Sequence, residues 1–191
     1  MHHPPFRKMH YLAELLFVAL FLLPNAQTFL CAHGEEKADQ IEKKVNLAIR
    51  DFSRRLGITQ TVIVSIVSEN SRLVSVEHAP GETKAFRMSF SAGFLRMLDD
   101  GELKAAVAHE MGHLWIYTHF PYLQTEALAN QQALKLVPRA DLERVYRKVW
   151  RWNGEKETLA QALACIEDAV AMSRKQPVSP KRQDAETNKQ R

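Results

Sequence analysis

Two histidines four residues apart, set in an otherwise apolar run, constrain this chain more than any other feature. His109 and His113 stand in Ala105-Ala106-Val107-Ala108-His109-Glu110-Met111-Gly112-His113-Leu114-Trp115-Ile116. On a helix, positions four apart share one face about a turn from each other, so both imidazoles can reach a single ion. Polar groups buried among apolar neighbours are costly unless they have partners, and a metal ion is such a partner. Glu110 lies on an adjacent part of the same surface, where it can serve a metal-bound water without being a ligand itself. The pattern is H-E-x-x-H, and it calls for a helix at the centre of the fold that contains it.

An ion that activates water needs a third protein ligand and an open position. Two residues compete for the role. His119 follows His109 by ten, the spacing of H-E-x-x-H-x-x-G-x-x-H, in which a glycine breaks the helix and returns the last histidine to the ion. Here Ile116 occupies the glycine position and does not tolerate the left-handed turn. On an unbroken helix His119 lies about 15 Å along the axis from His109. Glu126 fits better. Phe120-Pro121 closes the first helix near Thr118, and a second, from Tyr122 to Val137, is expected to return antiparallel beside it. Glu126 and His113 then face one another to within about a turn.

The segments around this pair predict a small α+β domain. Ile41, Val45, Ala48, Ile49, Phe52 and Leu56 recur at three and four, a helix from Glu35 that Gly57 stops. Thr61 to Val67 is nearly all β-branched and reads as a strand buried on both faces or close to it. Further strands are expected over Arg72–Glu77 and Lys84–Phe90, then a short helix over Ala92–Leu98. Asp99 with Glu102 resembles a capping box for the central helix, Glu102 to Thr118. Gly112 inside that helix costs about 1 kcal/mol relative to alanine, which suggests that another element approaches closely there. Asp141–Trp152 and Glu157–Met172 are two more helices. The fold expected is thus a three-stranded antiparallel or mixed sheet on a metal-binding helical hairpin, with further C-terminal helices.

The net charge of +4 raises the question of nucleic acid. From Arg174 to Arg191 there are six basic and two acidic residues, whereas His33 to Ser173 holds 18 basic against 19 acidic. The excess belongs to the tail, so no nucleic-acid face is expected on the body. At the other end, Arg7 and Lys8 precede the apolar run Leu15 to Leu23, too short to span a bilayer comfortably and suited to an export signal. Three regions follow: a signal peptide or N-terminal anchor over 1–32, a body over 33–173 and a basic tail over 174–191. The body is expected outside the cytoplasm, touching a membrane only through an uncleaved leader. With two cysteines and no C-x-x-C, a thiolate metal site is not on offer; Cys165 is expected to pack as a small hydrophobe.

The run from Leu98 to His113 resembles the H-E-x-x-H region of gluzincin zinc peptidases of the HtpX and CAAX-prenyl-protease type. In that family the third ligand is the glutamate of E-x-x-x-D, matched here by Glu126-Ala127-Leu128-Ala129-Asn130 with asparagine in the last place. Glu126, the Ala129-Asn130 pair and Leu136-Val137-Pro138 also resemble ImmA/IrrE-type peptidases. The resemblance covers roughly Ser89 to Arg139 and implies a minimal, minigluzincin-like fold. It implies Zn2+ held by His109, His113 and Glu126, with Glu110 as general base, hydrolysing peptide bonds of a protein or peptide substrate. Asn130, four residues after the ligand glutamate, is placed to accept a hydrogen bond from a ligand histidine, without the charge an aspartate would bring. Gluzincins usually add an oxyanion-stabilising side chain, and Tyr117, His119, Tyr122, Tyr146 and Arg147 are candidates. The Lys84–Phe90 strand is either a substrate-pairing edge or a plain interior strand. Two other functions compete with an exported endopeptidase: a catalytically silent zinc-binding module of the same fold, and an ImmA-like regulatory peptidase.

Overall fold

The computed structural model of the chain describes residues 26–175 other than 83 and 120, with side chains from residue 39 onward. The basic and apolar parts of the expected leader lie outside the described residues, as does the tail beyond Lys175. By its internal contacts the chain divides into two units, residues 1–43 and residues 44–191. Helix α1 (Ala26–Leu56) begins in the first and ends in the second. It starts upstream of the expected Glu35. In the second unit its Val45, Ala48, Ile49 and Phe52 are buried, following the three-and-four spacing. Gly57 ends the helix at φ +70°, a conformation that glycine adopts without steric cost. Among the described residues no helix is long and apolar enough to cross a membrane.

Three strands follow: β1 (Thr61–Val67), β2 (Val74–His78) and β3 (Ala85–Ser91). They form a mixed sheet in the order β1-β3-β2, with β1 parallel to β3 and β2 antiparallel to it. The fold class is therefore α+β. β3 is the central strand, and Phe86, Met88 and Phe90 from its one face are almost wholly buried. Two expectations change here. β1, read as buried on both faces, is an edge strand whose Ile63 is 38% exposed. Its β-branched run reflects strand propensity rather than depth. The third strand, read as either an edge or an interior strand, is interior; β1 and β2 hold both of its sides.

After the short helix α2 (Ala92–Leu95) comes the central helix α3 (Asp100–Thr118). Its capping box is complete: the Glu102 backbone N–H donates to Asp99 Oδ1 and the Asp99 N–H to Glu102 Oε2, both at 2.8 Å. Ala105, Val107, Ala108, Met111 and Leu114 are fully buried, so most of this helix lies in the core, with Lys104 and Tyr117 exposed. Glu102 itself is 3% exposed and is held by Lys148 and, at 3.5 Å, by Arg144. A buried carboxylate is tolerable only with such partners. Both cations come from α5 (Arg139–Trp152), which is thereby fastened to the start of α3.

Between them lies α4 (Glu126–Ala133), shorter than the expected Tyr122–Val137. Residues 122–125 are not helical, and Thr125 caps α4 by accepting from the Leu128 N–H at 3.2 Å. The last helix is α6 (Leu159–Lys175), which carries Arg174 and Lys175 of the expected tail. Arg55 of α1 donates to the Leu136 carbonyl at 3.0 Å, tying α1 to the turn after α4.

The expected close approach at Gly112 is present. A Cβ there would stand 2.2 Å from the Ala129 carbonyl oxygen and 2.8 Å from its carbonyl carbon. These are backbone atoms of α4 and cannot move aside as a side-chain tip can. Gly112→Ala is therefore expected to destabilise the protein by about 1–3 kcal/mol, the clash outweighing the gain in helix propensity. Urea denaturation measures it; a stabilised variant would contradict the contact.

Candidate metal centre

The backbone contact at Gly112 draws α4 against α3 opposite the two histidines, and three donor side chains converge there. His109 and His113 bring their Nε2 atoms to 3.2 Å of each other, with the rings perpendicular. Glu126, the first residue of α4, sets Oε2 3.2 Å from His109 Nε2 and Oε1 3.5 Å from His113 Nε2. Two imidazole nitrogens and a carboxylate oxygen, each within reach of the others, form a group that can hold a metal ion. The hydrogen bonds from His109 and then His113 hold the Glu126 carboxyl far below the usual carboxylate range. His113 is raised above the ordinary imidazole value, its bonds to Glu126 and Gln124 outweighing burial. Geometry that attracts a proton in this way also attracts a cation.

The outward ring nitrogens settle how the imidazoles face. His109 Nδ1 lies 2.8 Å from Asn130 Oδ1 and His113 Nδ1 lies 3.0 Å from Gln124 Oε1. Amide oxygens only accept, so each Nδ1 carries a proton, and each Nε2 faces inward as the atom that bonds Glu126 when protonated and can take an ion when not. The wholly buried Asn130 uses both ends of its amide: its Nδ2 donates to the Tyr146 hydroxyl at 2.9 Å and to Cys165 Sγ at 3.3 Å. An aspartate could not make those two donations. Gln124 also donates to the His113 carbonyl at 3.2 Å. It went unnoticed in the sequence, where its sole signal is a place two residues before Glu126. Cys165, expected simply to pack, is half-buried and part of this network, and burial pushes its thiol upward.

Glu110, 7% exposed, lies in the wall of a cleft of about 610 Å³ that also contains the three donors. Burial raises its carboxyl above the usual range, against the pull of His109 and His113 and a hydrogen bond from the Val76 backbone. Val76 belongs to β2, so the free edge of β2, and not β3, borders the cleft.

Of the side chains considered for oxyanion stabilisation, Tyr146 and Tyr117 line the cleft. Tyr146 sits with its ring edge-on to His109 and its hydroxyl 3.4 Å from Glu126 Oε2; burial raises that hydroxyl further. Tyr117 is exposed against His78 and Phe86. His119, Tyr122 and Arg147 do not line it. The His119 ring stacks on Trp115, its Nδ1 2.8 Å from the Trp115 carbonyl, and Tyr122 packs on the same indole. That removes His119 as third ligand too. The helix runs unbroken through Ile116, which does not take the left-handed turn, and His119 stands away from the three donors.

No protein-family model matches the chain, and no curated protein or solved structure matches it either.

Chelator-competition titration of the full chain should show one tight metal site. Asn130→Ala is expected to weaken it by about 10- to 100-fold, the usual cost of an outer partner, and Glu126→Ala by more. Equal affinity in Glu126→Ala would exclude the carboxylate as a ligand.

Proposed function

We propose that this protein is a zinc-dependent endopeptidase of the gluzincin kind. The observation that carries the proposal is the convergence of two imidazole nitrogens and one carboxylate. Ligands about 2.0–2.1 Å from a tetrahedral zinc stand about 3.3 Å apart. The two Nε2 atoms are 3.2 Å apart, and Glu126 approaches His109 with Oε2 at 3.2 Å and His113 with its other oxygen, Oε1, at 3.5 Å. Two neutral imidazoles and one carboxylate are also a donor set that leaves one corner for water. The likeness of Leu98–His113 and Glu126–Asn130 to gluzincin motifs supports the same reading, with zinc in place of other divalent ions.

Zinc bound by His109, His113 and Glu126 would supply a Lewis acid that lowers the pKa of water toward about 7 and polarises a carbonyl. The remaining work falls to the protein. Asn130 and Gln124 orient the two rings and keep their protons on Nδ1. Glu110 accepts a proton from the attacking water and returns it to the amine as the peptide bond breaks. Its burial suits this exchange, because a carboxylate with few water partners gains more from taking a proton. The β2 edge offers backbone groups to an extended peptide, which aligns the scissile bond beside Glu110. Tyr146, facing the ligand carboxylate and His109, is the best placed side chain to donate to the carbonyl oxygen as charge develops. The apolar leader adds an extracytoplasmic location to the proposal.

Glu110→Gln is expected to bind zinc as the wild type does and to lose hydrolysis of an unfolded protein by at least about 1000-fold. Tyr146→Phe is expected to lower kcat about 100-fold with little change in KM. Zinc retained with no hydrolysis by the wild type would make the chain a binding module. Chelation should abolish activity and added zinc restore it.

A further inference from the structure

We propose that Arg72 anchors a carboxylate of the substrate, on the C-terminal side of the bond that is cut. The inference rests on the peptidase reading and names the feature that the cleft selects. Arg72 is the sole lysine or arginine that lines the cleft among the described residues. Its backbone N–H donates to Asn70 Oδ1 at 3.0 Å, yet its guanidinium makes no ion pair or hydrogen bond to any described residue. Of the other titratable side chains of the cleft, His109, His113 and Glu126 are engaged with one another, and Glu110 is buried. A guanidinium left free at a cleft wall is a ready receptor for a carboxylate, which it can bind through two parallel hydrogen bonds.

The position of Arg72 is fixed by the turn that carries it. Asn70 accepts from Arg72 and donates to the Ser89 carbonyl at 3.1 Å, which ties the turn to β3. Leu73 follows in the left-handed region at φ 65°, rare for a leucine, and its carbonyl accepts from Ser91 at 2.7 Å. This twist sends the Leu73 side chain inward, 4% exposed, and leaves Arg72 at the surface beside it. Strain of this sort persists where surrounding bonds enforce it.

Antiparallel pairing, slightly more stable per residue than parallel, sets the direction we propose. Val76 and Arg72 both line the cleft and are four residues apart, at most about 13 Å of extended chain. A peptide pairing antiparallel with the β2 edge runs its C-terminal residues toward the start of β2, where Arg72 stands. The cleft lining also includes Leu73, Phe94, Val145 and Val149, which suit apolar side chains. The substrate is then an apolar segment bearing a carboxylate within about four residues after the scissile bond. That carboxylate comes from the end of the peptide chain or from an Asp or Glu side chain.

Binding to the zinc-loaded, full-length Glu110→Gln protein tests this by fluorescence anisotropy. The probes are one apolar peptide with a free C-terminus, its amide, and the amide with a glutamate near that end. One or both carboxylate peptides should bind about tenfold tighter than the plain amide, and which of them does so identifies the source. Adding Arg72→Gln should erase the preference, while Arg72→Lys should keep part of it. Equal binding of all three peptides, binding of none, or a preference that survives Arg72→Gln would overturn the proposal. Hydrolysis by the wild type is a separate readout. A preference lost with Arg72→Gln in a protein that cuts nothing keeps the anchor and removes the peptidase.

Discussion

The arrangement of the whole site depends on one steric fact: there is no side chain at position 112. With hydrogen in place of a methyl group, the backbone of α4 at Ala129 can lie directly against α3. From that contact, Asn130 reaches His109 from one side and Glu126 closes on both imidazoles from another. A helix separation set by ordinary side chains, about 8–10 Å between axes, would hold the carboxylate away. The helix-propensity cost of glycine in mid-helix is thus offset by the geometry that it permits.

A second constraint keeps the cleft open. Glu102, buried at the start of α3, ties down Lys148 and Arg144 of α5. Tyr146, Val145 and Val149 are interleaved with these anchors on the same helix, so the far wall of the cleft is held from the end of α3 that lies away from the metal ligands. β2 forms the near wall, its own position set by pairing with β3. The donors therefore sit between two walls that are fastened independently.

Much of this was legible in the sequence because short-range chemistry dictates it. The Asp99–Glu102 capping box, the strand boundaries of β1 and the glycine contact each follow from residues close in the chain, and the structure contains all three. The rule that sets His119 aside is equally local: a β-branched Ile116 does not take the left-handed turn that would return it. What escaped notice is long-range or depends on turns. Gln124 meets His113 only because residues 122–125 leave helical geometry, which no periodicity announces. The interior place of β3 depends on strand order, and a run such as Thr61–Val67 looks the same at an edge as at a centre. Arg72 was invisible for a related reason, since nothing in Ser71-Arg72-Leu73 foretells a left-handed leucine.

Glu126 occupies a position unlike that of its two partners. The histidines ride on a largely buried helix, whereas the carboxylate is 59% exposed at the first residue of a short one, after five exposed residues. The imidazole pair is consequently fixed once α3 is packed, and the carboxylate meets it from the solvent side. Exchanging Glu126 for another residue therefore changes the donor set while disturbing little buried structure.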